Sequence, residues 1–153
     1  MKPFVMRDVP RDVHALFKKI RRTVRRMPTV DLGKDDGGRR VPVSCHMVCR
    51  ALAADPAFKG RLLLRDGYFG EGAATHSWLL TEAGLLIDPY PWAMVGGPVM
   101  VSLEGVSPWR SLYREADLSG HFRRLRPAFD RHVAAVTTAV RETLRRDEPR
   151  YDF

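Results

Sequence analysis

The tightest constraint on this chain is a gap of three residues. Two apolar runs, residues 77–81 and 85–87, are separated only by Glu82-Ala83-Gly84. A gap that short, closed by glycine, joins neighbouring antiparallel strands and leaves no room for a crossover connection. Part of the fold is therefore an antiparallel sheet. Further strand signals flank the hairpin. Residues 61–64 form a short apolar run that ends at Asp66-Gly67 and is followed by Tyr68 and Phe69, and residues 99–103 read as another strand.

Helical signals lie outside this region. Val13, Leu16, Phe17, Ile20 and Val24 recur at helical spacing between Arg11 and Arg26, and Pro28 stops the run. The opposite face carries Lys18, Lys19, Arg21, Arg22, Arg25 and Arg26. A shorter helix is expected to start at Cys45, where Ser44 supplies an N-cap, and to end near Asp55 ahead of Pro56. Met47, Val48, Ala51 and Leu52 form its buried face. Ser107-Pro108 reads as the cap and first residue of a short helix reaching Tyr113. The last helix begins near Pro127, with Phe129, Val133, Val136, Val140 and Leu144 on one stripe. Residues 31–40, charged and rich in glycine, read as a loop. Helices at both ends with strands between them give an α+β domain, and 153 residues fit a single one, 1–153.

Composition narrows the setting. No apolar run approaches the roughly 20 residues needed to span a bilayer, and the N-terminus lacks a signal-peptide stretch, so the expected location is cytoplasmic, with an exported effector role as the other possibility. Cys45 and Cys49 do not form a secreted disulfide framework and read as reduced thiols. Their spacing to His46 and His76 matches no common zinc pattern, and no metal or cofactor is expected. The net charge of +8 admits nucleic acid or an acidic protein as partners. Asn and Gln are absent altogether, which together with the arginine excess points to a biased genome and weakens charge as a functional signal.

The chemistry-bearing residues fall into a pattern. A cysteine nucleophile needs a lowered thiol pKa, a base within reach and a group to orient that base. Cys45 opens a helix, where the dipole and unpaired amides favour a thiolate over the free pKa of about 8.5. His76 opens a strand, and Asp88 closes its hairpin partner. With the turn centred near residues 82 and 83, His76 and Asp88 fall close to opposite each other on one face. His46 points about 100° away from Cys45 on the helix, making it a poor base and a rim or surface residue. Cys49 and Trp78 read as core. His14, His121 and His132 read as surface residues. Ser44, His46, Tyr90 and Trp92 are candidate lining of a substrate cleft.

Cys45-His46-Met47-Val48-Cys49-Arg50-Ala51-Leu52 resembles the nucleophile helix of transglutaminase-like proteins. Leu63-Leu64-Arg65-Asp66-Gly67-Tyr68-Phe69 is similar to the strand that follows it there, His76-Ser77-Trp78 to the histidine strand and Ile87-Asp88-Pro89 to the aspartate strand. The resemblance covers residues 42–92, about a third of the chain. It implies a papain-like fold, with the nucleophile helix packed on a small antiparallel sheet, and an acyl-enzyme intermediate on a peptide or protein substrate. A peptidase or amidase is favoured over an amide-forming transferase, because hydrolysis needs no second substrate site. Two departures stand out. Ser44 occupies the place where the family often has glycine, and the chain has no glutamine to serve as an oxyanion donor. The alternative is a catalytically idle, basic binding module.

Overall fold

The computed structural model describes residues 9–72, 74–90, 98–102 and 110–149. Among them are four helices, α1 (Arg11–Arg26), α2 (Cys45–Ala54), α3 (Ser119–Leu125) and α4 (Ala128–Asp147). Five strands, β1 (Leu62–Phe69), β2 (Thr75–Thr81), β3 (Leu85–Asp88), β4 (Val99–Ser102) and β5 (Tyr113–Glu115), form one antiparallel sheet ordered β4-β3-β2-β1-β5. The chain is α+β. No helix among the described residues is long and apolar enough to cross a membrane.

The hairpin turn has the expected chemistry. Gly84 adopts a left-handed backbone with φ of 76°, its N–H bonds the Thr81 carbonyl at 3.0 Å, and the Thr81 hydroxyl accepts the Leu85 N–H at 3.1 Å. A three-residue loop closed by a left-handed glycine sets the register. Leu79 faces Ile87 and Leu80 faces Leu86, so one step further Trp78 faces Asp88. His76 and Asp88 are therefore diagonal neighbours, two residues out of the direct opposition read from the sequence, because the turn centres on Ala83.

Alternation along the sheet makes two apolar layers. Leu62, Leu79, Leu85 and Ile87 pack with Val48, Cys49, Ala51 and Leu52 of α2, and with Val136 and Val140 of α4. Val13, Leu16 and Ile20 of α1 join this core, where burying each large side chain is worth about 1.5–3 kcal/mol. Trp78, Leu86 and Tyr113 form a second cluster with Phe69, Leu80 and Leu112 against it. Asp55 ties α2 to α4: it accepts the Ala57 N–H at 2.9 Å and pairs with Arg141 at 3.3 Å.

Two sequence expectations need correction. Asp66-Gly67 does not end a strand, since β1 runs through it to Phe69. Gly67 is needed inside the strand, because a Cβ there would collide with the backbone of Arg114 in β5. The expected short helix is a single 3-10 turn, Arg110–Leu112, after which Tyr113 enters a strand; Ser107 and Pro108 lie outside the described residues. Residues 31–40 are a loop as expected, pinned by a bridge between Lys34 and Arg40.

Candidate active site

Cys45 is the first residue of α2 and is buried. Ser44 sits before it in extended backbone, and its hydroxyl accepts the Met47 N–H at 3.4 Å. This cap fixes the first turn of the helix and leaves the leading N–H groups directed outward, as helix starts do. The Ser44 hydroxyl is thus engaged in holding α2.

His76 lies one residue into β2 and is 2% exposed. Its Nε2 is 2.7 Å from Asp88 Oδ2. Burial alone pushes the imidazole pKa down, but hydrogen bonds to Asp88 and to Cys45, and the charges of both, outweigh it and hold the pKa up at about 10. Asp88 and Cys45 thus act on the same ring. The ring is walled by aromatic residues: Phe69, Tyr113 and Trp78 have centroids 5.6, 6.0 and 6.2 Å away.

Asp88 is fully buried and well supplied with donors. Tyr113 donates its hydroxyl proton to Oδ2 at 2.7 Å, and the Tyr90 N–H donates to Oδ1 at 3.2 Å. Burial, then the Asp88 charge, pushes the Tyr113 pKa up, so the phenol stays protonated and remains a donor. No sequence signal pointed to Tyr113, which is distant in the chain and sits on a three-residue strand. The Tyr90 side chain is exposed at 36%. Trp92 lies outside the described residues.

His46 is not a rim residue. It is 7% exposed, with Nδ1 2.6 Å from Ser77 Oγ and Nε2 3.1 Å from Thr75 Oγ1. Burial, then the nearby Arg50 charge, pushes its pKa down to about 4. Ser77 in turn donates to Asp66 Oδ1, and Asp66 holds Arg50 through a 2.8 Å contact to Oδ2. The Arg50 guanidinium stacks over Phe122, 4.2 Å from the ring centroid. A signal for this network was present in the sequence. Arg50 is the one permanently charged residue in a mostly apolar helix, and a charge there requires a partner. His121 is half-buried and its ring lies 6.2 Å from that of His46, so it is not a plain surface residue either.

Cys49 is fully buried, as expected of a core residue. Its thiol donates to the Ser77 carbonyl at 3.3 Å, and burial pushes its pKa well up, which keeps it protonated. A cavity of about 1000 Å³ lies beside the Arg50–Asp66 pair, among Leu64, Arg123, Phe122 and Phe129. Neither Cys45, His76 nor Asp88 lines it, and three arginines of its wall are paired, Arg50 with Asp66, Arg65 with Glu115 and Arg126 with Asp130. We therefore place the candidate site at the buried histidine and not at this cavity. Protein-family models, curated proteins and solved structures gave no match to this chain, so a functional reading rests on its own geometry.

Proposed function

We propose that this chain is a cysteine-nucleophile enzyme of the transglutaminase-like type, with a papain-like arrangement, that cleaves or transfers an amide or related acyl group of a peptide or protein. The supporting observation is one buried imidazole held at 2.7 Å by a buried carboxylate, with Cys45 at a helix start close enough to raise the imidazole pKa. A histidine kept cationic beside a thiol favours the thiolate–imidazolium form, which is the reactive state of such a nucleophile.

In this reading the Cys45 thiolate attacks the carbonyl carbon, and the electron pair of the C=O bond moves to oxygen. The backbone N–H of Cys45 at the start of α2 stabilises that oxyanion. As the carbonyl re-forms, the C–N bond breaks and the His76 imidazolium protonates the departing amine. Neutral His76 then takes a proton from water, hydroxide attacks the thioester carbonyl, and the thiolate leaves. Asp88 holds His76 in place throughout and carries no proton itself. An amine in place of water gives acyl transfer; hydrolysis is favoured because it needs no second substrate site. No cofactor enters.

p-Nitrophenyl acetate tests this directly. We expect release of p-nitrophenolate with transient acetylation of Cys45, seen by mass spectrometry on its peptide. Cys45→Ala abolishes both, and His76→Ala slows acylation by about 10²–10⁴-fold. Equal rates in wild type and Cys45→Ala would remove the proposal.

One observation favours a second reading, a basic binding module. Lys18, Arg21, Arg22 and Arg25 are exposed side by side on α1, where like charges three and four residues apart repel. This reading requires binding to duplex DNA that weakens steeply with salt and survives Cys45→Ala. Absence of binding at low salt eliminates it.

A further inference from the structure

The nucleophile and its base stand on different elements, and a partly buried polar chain joins those elements beside the pair. Resting on the enzymatic reading above, we propose that His46 is a positioning residue: with Thr75, Ser77, Asp66 and Arg50 it clamps the first turn of α2 to β2, and so sets the approach of Cys45 to His76.

The sequence places the clamp around the chemistry. His46 follows Cys45 on α2, while Thr75 and Ser77 bracket His76 on β2. The imidazole spans both brackets, Nδ1 to Ser77 Oγ at 2.6 Å and Nε2 to Thr75 Oγ1 at 3.1 Å. Every proton in the chain has one consistent placement. Ser77 gives its single hydroxyl proton to Asp66 Oδ1, so toward His46 it acts as acceptor and Nδ1 carries the hydrogen. Nε2 is then bare and accepts from Thr75. Arg50 closes the circuit, donating to both Asp66 oxygens at 3.2 and 2.8 Å, to Ser77 Oγ at 3.3 Å and to the His46 carbonyl at 3.3 Å.

The ring in the clamp is neutral, because burial and the Arg50 charge disfavour a second proton. A second proton on Nε2 would face the Thr75 hydroxyl, whose own hydrogen would have to turn away, with Arg50, His76 and His121 adding repulsion and Asp66 alone opposing it. Burial keeps that proton off until about pH 4. A fixed tautomer, bonded at both nitrogens, gives one relative placement of helix and strand, and misplacement of reacting groups by about 1 Å can cost on the order of 10²-fold in rate.

The test is the pH–rate profile of Cys45 acylation by p-nitrophenyl acetate, with thermal unfolding measured in parallel. His46→Asn keeps an N–H donor where Nδ1 stands. His46→Leu removes both ring nitrogens at similar volume, and Ser77→Ala, the smaller change, removes the hydroxyl that accepts from Nδ1 and from Arg50 and donates to Asp66. We expect His46→Leu and Ser77→Ala to lower the plateau rate by about tenfold or more and to move the acid limb upward, because a loosened pair stabilises the thiolate less. His46→Asn should restore both to within about threefold. Rates and limbs like wild type in Ser77→Ala or His46→Leu, with only the melting temperature lowered, would overturn the positioning role while leaving the enzymatic reading intact. Absence of Cys45 acylation in the wild type would overturn both.

Discussion

Asp88 divides its two oxygens between two tasks. Oδ1 accepts the Tyr90 N–H and closes the turn around Pro89, while Oδ2 takes His76 and Tyr113. An aspartate before proline commonly does the first, and an aspartate beside a histidine the second. Here one buried carboxylate does both, which is why it tolerates complete exclusion from water. Among the described residues, Tyr113 supplies one of its two side-chain hydrogen bonds. Removing that hydroxyl leaves Oδ2 with His76 as its one side-chain donor among those residues. Tyr113→Phe is expected to cost about 1–3 kcal/mol in urea unfolding, with the slope against denaturant unchanged. An unchanged midpoint would mean that the phenol contributes no net stability to the carboxylate.

At the scale of elements, most of the sheet and both long helices were legible. α1 runs over the range its apolar spacing marked, and α2 starts where Ser44 caps it. The turn at residues 82–84 was legible, but its centre was misjudged, and in a sheet that alone moves the pairing. The side chains of His76 and Asp88 still meet, since a diagonal offset of two keeps both on one face and within reach of an imidazole. β5 and α3 were not legible. β5 has three residues and no periodicity to detect, and its pairing depends on Gly67, a glycine whose role is visible only once Arg114 lies against it. The His46 network was missed for a related reason. Adjacency to Cys45 argued against His46 as a base, which leaves open what else a histidine on that helix contacts, and the answer, Ser77, is 31 residues away. Gly67→Ala is expected to force β5 off β1 and to destabilise the fold by about 3 kcal/mol, the upper range for overpacking, because backbone yields less than a side chain. A stable variant with unchanged amide exchange across β1 and β5 would contradict that packing.

Over the whole molecule, two buried histidines pull stability in opposite directions with pH. His76 has its pKa raised to about 10, so its folded form holds a proton that the unfolded chain releases near 6.5; its contribution is full below pH 6.5 and is lost as pH rises toward 10. His46 has its pKa lowered to about 4, so the unfolded chain takes up a proton that the folded form refuses; its contribution is full above pH 6.5 and is lost as pH falls toward 4. Unfolding free energy should therefore peak near pH 6.5 and decline on both sides. A steady rise from pH 6.5 to 10 would show that His76 is not held cationic. In the proposed reading the His76 proton also decides whether Cys45 can react. The measurement that bears most directly on it is the alkylation rate of Cys45 and Cys49 against pH, resolved by mass spectrometry, in wild type and His76→Ala. A thiolate–imidazolium pair requires Cys45 to react fast below pH 7 and to lose that advantage without His76, while buried Cys49 stays slow throughout. If Cys45 titrates near 8.5 like a free thiol in both proteins, there is no thiolate–imidazolium pair and the enzymatic reading fails.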